Sequence, residues 1–168
     1  MRDTNDGFVF VGGICSSNNY GASWSVSNAN SGNQWYGLGV DSTGQYWVAC
    51  AIDGLYRSSD YAATWTKVYG LSGSGAQSCD SDTSGQYLVA NDHTTGNVYS
   101  SSDYGSSWST AAPIPNAGRL ISDETGQVVS LACNSGALYQ SNDYGNTFWP
   151  IESSERPWTA IYMSPSCK

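Results

Sequence analysis

Short runs of aromatic and β-branched residues alternate with polar, glycine-bearing turns over most of the chain. Residues 41–49, 82–90 and 123–132 each begin with an aspartate, pass through Thr-Gly or Ser-Gly, and continue into a hydrophobic segment. A glycine turn followed by a short segment of this kind is typical of a β-strand. The pattern therefore predicts an all-β chain built from short antiparallel strands.

An eight-residue pattern, Ser-x-Asp-x-Gly-x-x-Trp, occurs in full at residues 101–108, and we call it the octapeptide turn. Three further copies differ from it at one position each: residues 17–24 have Asn19 for the aspartate, residues 58–65 have Ala62 for the glycine, and residues 141–148 have Phe148 for the tryptophan. The third residues of the four copies are Asn19, Asp60, Asp103 and Asp143, and the last residues are Trp24, Trp65, Trp108 and Phe148. The third residue can accept hydrogen bonds from backbone N–H groups two or three residues further on, and the glycine supplies a positive φ angle. We interpret all four copies as structural turns, because four equivalent turns cannot all form one active site.

The spacing of the octapeptide turns predicts the architecture. Their third residues lie at positions 19, 60, 103 and 143, a period of about 42 residues. Such a period in a strand-rich chain is typical of a β-propeller with four-stranded antiparallel blades. Complete repeats are predicted at residues 34–68, 76–111 and 118–151, and residues 7–27 supply only the later strands of another repeat.

The two ends of the chain look complementary, because the first strand that is missing at the start is predicted at residues 158–163. We therefore predict a single domain, residues 1–168, whose four blades form a ring closed by N- and C-terminal strands that share one blade. Two alternatives stay open. In the first, the chain is a fragment of a larger ring. In the second, two copies of the chain together complete an eight-bladed ring.

The octapeptide turns resemble the Asp-box repeats, also called BNR repeats, of sialidase-like β-propellers, and the resemblance covers nearly the whole chain. Similar repeats occur in sialidases, sortilin-type receptors, xyloglucan-degrading glycosidases and photosystem II assembly factors. The resemblance implies that these turns are structural and lie on the side away from an active face. It also favours an extracellular or organelle-lumen location.

Charge narrows the range of partners. Six Lys and Arg residues stand against 14 Asp and Glu residues, which gives a net charge of −8 at pH 7. This balance argues against nucleic acid and anionic membrane surfaces as partners. The hydrophobic runs are all shorter than a membrane-spanning helix, so membrane insertion is not expected.

The cysteines lie at positions 15, 50, 79, 133 and 167, and none belongs to a Cys-x-x-Cys pair. We therefore predict neither a metal site nor a cofactor. Cys50 and Cys133 are expected at the same position of their repeats, as small buried strand residues. One or two disulfides, such as Cys15 with Cys167, are the alternative.

Ligand binding is expected in the loops that differ between repeats, since recurring residues are most simply structural. The predicted ligand-binding residues are Asp53, Asp92, His93, Trp149, Glu152, Glu155, Arg156 and Trp158. Asp53-Gly54 also fits an ordinary hairpin turn, and residues 149–158 also fit a proline-stiffened connector. In the functional interpretation, the tryptophan faces of this connector stack on sugar rings or on a partner chain.

The sequence favours a non-catalytic binding or scaffolding propeller with a protein or glycan ligand, acting as a monomer or as a ring-completing homo-oligomer. The alternative is a glycoside hydrolase of sialidase-like or xyloglucanase-like type. For a sialidase, the resemblance implies an arginine triad, and the chain has arginines only at positions 2, 57, 119 and 156. A xyloglucanase-like mechanism needs two carboxylates, for which Asp53, Asp92, Glu152 and Glu155 are the candidates.

Overall fold

Short β-strands make up the regular structure of the protein in a computed structural model, which describes residues 10–11, 13–27, 29, 32–69, 75–153, 158 and 161–163. In chain order the strands are β1 (Phe10–Val11), β2 (Cys15–Ser16), β3 (Ser25–Val26), β4 (Gln34–Val40), β5 (Trp47–Ala51), β6 (Gly54–Ser58), β7 (Thr66–Tyr69), β8 (Ala76–Ser81), β9 (Leu88–Asp92), β10 (Val98–Ser101), β11 (Ser109–Thr110), β12 (Ala117–Ser122), β13 (Val129–Cys133), β14 (Ala137–Ser141) and β15 (Trp149–Ser153).

Strands β4 to β15 form three four-stranded antiparallel sheets. Their orders are β4-β5-β6-β7 (sheet A), β8-β9-β10-β11 (sheet B) and β12-β13-β14-β15 (sheet C). Each strand pairs with its neighbours in sequence, as tight turns between antiparallel strands allow. The prediction of four-stranded antiparallel repeats is confirmed for all three sheets.

The two ends of the chain differ from the prediction. β2 and β3 pair as a small sheet N, as expected for the last two strands of a partial blade. β1, however, pairs with β4, with Phe10 opposite Trp35. An edge strand presents unpaired N–H and C=O groups, and β1 meets those of β4 on the side away from β5. Trp158 and residues 161–163 lie outside any strand, so the described residues form no shared blade that closes a ring.

The hydrophobic core lies between successive sheets. Leu55 of sheet A is fully buried in a cluster with residues of sheet B. Val98 of sheet B is fully buried in a second cluster with Leu131 of sheet C. Ile14, directly before β2 of sheet N, packs in a third cluster with Trp35 of sheet A. The sheets are therefore held face to face by burial of apolar surface. We call the face of each sheet that points towards the next sheet in chain order its outgoing face. The outgoing faces of sheets N, A and B pack on sheets A, B and C.

Glycines allow strand β4 of sheet A and strand β8 of sheet B to approach each other closely. A Cβ atom on Gly39 would lie 2.8 Å from the carbonyl carbon of Asp80 and 2.8 Å from the nitrogen of Ser81. A Cβ atom on Gly37 would lie 3.0 Å from the nitrogen of Cys79. These neighbours are backbone atoms, which cannot rotate away as a side chain can. Strands β4 and β8 therefore pack backbone against backbone.

The octapeptide turns share a hydrogen-bond pattern. In the third copy, Asp103 Oδ1 accepts the Ser107 N–H at 2.8 Å and the Ser101 hydroxyl at 2.9 Å. Asp103 Oδ2 accepts the Ser107 hydroxyl at 2.6 Å. The side chain therefore reaches a backbone N–H four residues further on, in addition to the predicted contact three residues further on, at Ser106. Equivalent backbone bonds are accepted by Asn19, Asp60 and Asp143.

The backbone conformation of the tyrosine at the fourth position of each octapeptide turn accounts for the hydrogen bond from the seventh residue. The fourth residue of each octapeptide turn has a positive φ angle, for example 58° at Tyr104, and the following Gly105 has 75°. Two successive residues in this region curl the chain back over the carboxylate. The left-handed region is costly for a bulky residue, but the Tyr104 ring packs in a tilted arrangement against Tyr46, which directly precedes β5 of sheet A, with ring centroids 4.5 Å apart. The turns thus also join neighbouring sheets.

Asp103→Asn should make unfolding less sensitive to acid. Hydrogen bonds from the hydroxyl and backbone N–H of Ser107 lower the pKa of Asp103 from 3.8 to about 2. A lowered pKa in the folded state stabilises the fold above the unfolded value, and this contribution is lost as pH falls from 3.8 towards 2. The difference between wild type and variant should be below about 1 kcal/mol, because the carboxylate is close to solvent. Urea unfolding at pH 3 and pH 6 measures it, and equal pH dependence of both proteins would contradict it.

Candidate loop-face site

The second-to-third strand loops and the connections between sheets lie at one end of the strands, which we call the loop face. Ile52 donates its N–H to the Gln34 carbonyl at 3.0 Å, and Asn134 donates to Asn116 at 3.0 Å. The octapeptide turns lie at the opposite end, where Tyr61 donates its N–H to the carbonyl of Gln45, in the first-to-second strand turn. The loops predicted to carry function are thus separated from the octapeptide turns by the length of the strands.

Asp53 is the centre of a polar cluster on the loop face. Its Oδ1 accepts a hydrogen bond from Asn33 Nδ2 at 2.6 Å. Its Oδ2 accepts from the Tyr56 hydroxyl at 2.8 Å and from Lys67 Nζ at 2.9 Å. The Lys67 ammonium also lies 5.8 Å from the centre of the Tyr56 ring, which adds a cation–π contact.

The cluster holds Asp53 as a carboxylate. Partial burial raises the pKa of Asp53, but the hydrogen bonds from Lys67, Asn33 and Tyr56 outweigh it and leave the pKa below its usual value. The same ion pair raises the pKa of Lys67. The pair is half-exposed, with 42% of the Lys67 side chain and 39% of the Asp53 side chain accessible. Both charges can therefore contact a partner, whereas Asp53 is a poor proton donor at neutral pH.

Asp92 is a structural residue of its own loop. It is 1% exposed. Its Oδ1 accepts the Thr94 N–H at 2.8 Å, and its Oδ2 accepts the Thr95 hydroxyl at 2.9 Å. The neighbouring His93 is exposed, and its Nδ1 donates a hydrogen bond to the Ala117 carbonyl oxygen at 3.2 Å, since a carbonyl can only accept. This loop therefore presents His93 and the threonines, while Asp92 faces inward.

The predicted tryptophan wall is divided between the two ends of sheet C. Trp158 donates its indole N–H to the Gly136 carbonyl at 3.0 Å, in the second-to-third strand loop. Glu152 is exposed near the same end of β15. Trp149 begins β15, directly after the octapeptide turn, and so lies towards the opposite end. Glu155 and Arg156 lie outside the described residues.

Sequence reasoning found Asp53 but missed its partners Asn33, Tyr56 and Lys67. Lys67 carried a usable signal, because it is the sole lysine before the C-terminal residue and lies within a predicted strand. The register places Lys67 opposite Tyr56. Asn33 carried no such signal, since it precedes the strand in an asparagine- and glycine-rich connection.

An apolar groove of about 460 Å³ lies between sheets N and A. It is lined by Gly13, Ile14, Cys15, Trp35, Tyr36, Gly37 and Leu38. Leu38 is 45% exposed in it, although Leu120, at the same position of sheet C, is buried. Sheet N contains only two strands, so its outgoing face leaves Leu38 partly uncovered.

Metal binding finds no support among the described residues, which bring no three His, Cys, Asp or Glu side chains together as a ligand set. The part of the chain that the structure describes also contains no helix long and apolar enough to cross a membrane.

No family model and no curated protein matches the sequence. Solved structures do match. The GH74 enzyme of Niastella koreensis is 22% identical, with a TM-score of 0.63, and the match covers 80% of this chain and 20% of that one. YCF48 bound to D1 peptide is 17% identical, with a TM-score of 0.62 and coverage of 79% and 45%. A chain of the nidogen/laminin complex is 12% identical, with a TM-score of 0.60 and coverage of 71% and 48%.

These likenesses establish the fold alone. The chain has a β-propeller fold, and sheets A, B and C are blades. It spans about a fifth of the length of the GH74 enzymes and less than half of the other two proteins. The neighbours include both enzymes and proteins solved with binding partners.

Proposed function

We propose that this chain is the non-catalytic, ligand-binding part of an Asp-box β-propeller, and that its loop face binds a protein. The observation that carries the proposal is the state of the two carboxylates in the second-to-third strand loops. Asp53 is paired with Lys67, and Asp92 is buried within its own turn. Both are committed to contacts within the fold.

Glycoside hydrolysis is disfavoured by these contacts. The reaction needs one carboxylic acid that is protonated before it acts and a second carboxylate on the other side of the scissile bond. The pKa of Asp53 is lowered by its hydrogen bonds, which is the wrong direction for the acid. A sialidase-like arginine triad is disfavoured too, because Arg57 Nη1 donates to the Tyr104 carbonyl and the Ser106 hydroxyl, each at 3.1 Å, among the octapeptide turns.

A protein ligand is favoured over a glycan by the neighbours and by the surface. YCF48 was solved with a peptide, and nidogen in a complex with laminin. On the loop face of this chain, Lys67 of strand β7 and His93 of the β9–β10 loop offer exposed donors. Polar groups held in place by the fold lose little entropy when a partner binds.

The proposal also covers the type of repeat and the number of blades in the ring. In all four octapeptide turns the backbone N–H of the seventh residue donates to the side-chain oxygen of the third, which supports one repeat type. Trp24 is 65% exposed, although its equivalents Trp65, Trp108 and Phe148 are half-buried. We infer that a further blade, from a longer chain or a second copy, packs on sheet N and completes a ring larger than four blades.

A displayed peptide library selected on the folded chain tests the binding proposal. The dissociation constant of a selected peptide should rise at least about tenfold in the double variant Lys67→Met/His93→Ala, since hydrogen bonds to charged groups contribute about 1.5–3 kcal/mol each. Tyr61→Ala is the matched control, because Tyr61 is 62% exposed at the opposite end of the strands. It should leave the dissociation constant unchanged.

Three outcomes would reject this function. Equal weakening by both variants would place the binding site away from the loop face. Release of reducing sugar from xyloglucan, or of the aryl group from an aryl sialoside, would make the chain an enzyme. Binding to a glycan array without any selected peptide would replace the protein ligand by a glycan.

A further inference from the structure

Two cysteines meet where sheets A and B pack together. Cys50 lies in β5 and is fully buried, and Cys79 lies in β8 and is 6% exposed. Both belong to the hydrophobic cluster between the two sheets. They come from different blades and are separated by 28 residues in the sequence (51 to 78).

The register of the inner strands brings the thiols together. Cys50 pairs with Gly37 of the neighbouring strand β4. A Cβ atom on Gly37 would lie only 3.4 Å from Cys79 Sγ, so the Cys79 thiol occupies the space that a side chain at position 37 would fill. The Cys79 thiol lies 3.8 Å from the Val48 carbonyl, to which it donates. Burial and the contact with the Cys79 thiol raise the pKa of Cys50.

The contact between Cys50 and Cys79 has no counterpart at the interface between sheets B and C. The strand registers make Asn91 the equivalent of Cys50 in sheet B, and Leu120 the equivalent of Cys79 in sheet C. At the interface between sheets B and C, Asn91 instead donates to the Gly118 carbonyl at 3.0 Å. Cys133 lies opposite Ala117, one position beyond the place of Cys50, so the expectation that Cys50 and Cys133 are equivalent was wrong.

We propose that Cys50 and Cys79 form a disulfide that joins the first complete blade covalently to the second. In the reaction, one thiolate attacks a low-molecular-weight disulfide and releases one thiol. The second cysteine then attacks the mixed disulfide and releases the other thiol. The two cysteines lose two electrons and two protons, and the oxidant becomes two thiols. The bond would close while the sheets assemble, because the folded interface shields both sulfur atoms.

The disulfide fits a chain that folds in an oxidising compartment, where such bonds persist. It would keep sheets A and B in contact when other parts of the fold open. Cys15 is exposed and Cys167 lies outside the described residues, so the alternative of a disulfide between Cys15 and Cys167 stays untested.

Refolding in a glutathione redox buffer tests the proposal. The starting protein is Cys15→Ser/Cys167→Ser, which keeps only the buried cysteines. Trypsin cuts after Arg57, Lys67 and Arg119, so Cys50, Cys79 and Cys133 fall on three different peptides. Mass spectrometry of the folded fraction should find the Cys50 and Cys79 peptides linked, with a loss of two titratable thiols per chain. The link should survive Cys133→Ser and disappear in Cys79→Ala.

The oxidised protein should also unfold at a higher urea concentration than the same protein after reduction. The proposal fails if the folded fraction still contains three titratable thiols, or if Cys133 is found in the link as often as its partners. Refolding in the absence of oxidant, followed by oxidation in urea, supplies the reference for random pairing.

Discussion

Gly39→Ala should destabilise the chain by about 3 kcal/mol, at the upper end of overpacking effects, because the new methyl group would overlap with backbone atoms of strand β8. Its Cβ atom would lie 2.8 Å from the carbonyl carbon of Asp80 and 2.9 Å from its Cα atom. Relief requires strands β4 and β8 to separate, which would loosen the whole cluster between sheets A and B. Urea denaturation followed by tryptophan fluorescence measures the change.

Leu38→Ala is the control for this prediction. Leu38 precedes Gly39 on β4 and is 45% exposed, so its truncation removes little buried area and should cost less than about 1 kcal/mol. If Gly39→Ala costs no more than Leu38→Ala, the two sheets are not in backbone contact. A loss of more stability in the Leu38 variant would point to a blade that covers the groove.

The sequence allowed the strands and turns to be predicted because both depend on local chemistry. The Thr-Gly and Ser-Gly turns preceded the second strands as expected, and Gly44 and Gly85 have positive φ angles of 76° and 78°. The octapeptide turns were likewise recognised from their residue pattern, and their spacing indicated the repeat. Strand register within a repeat follows once these turns are fixed, since a hairpin turn sets which residues pair.

What could not be predicted depends on contacts between repeats. Tyr104, which has a positive φ angle, packs its ring against a tyrosine of the preceding repeat, and no local pattern reveals this contact. The interpretation of Asp53 depended instead on contacts within sheet A between residues far apart in the sequence, because Asn33 and Lys67 were placed beside it. The pairing of β1 with β4 depends on which strand edge is open, and it corrected the expected N-terminal blade.

Leu55→Ala should lower the free energy of unfolding by about 3 kcal/mol, a typical cost for truncating a fully buried leucine. Leu55 is 0% exposed, at the centre of the outgoing face of sheet A, where sheet B covers it. Leu138 takes the same position in sheet C, since it pairs with Ala132 as Leu55 pairs with Cys50. Leu138 is only half-buried, so Leu138→Ala should cost about 1 kcal/mol.

The difference between the two leucines measures how open the outgoing face of sheet C is. Urea denaturation of both variants at two protein concentrations separates the causes. Equal losses that do not change with concentration would mean that other residues of the same chain cover Leu138, as a closed four-bladed ring requires. A cost for Leu138→Ala that grows with concentration would mean that a second copy covers it. The expected result, a small and constant cost, leaves this face available for the further blade that a larger ring needs.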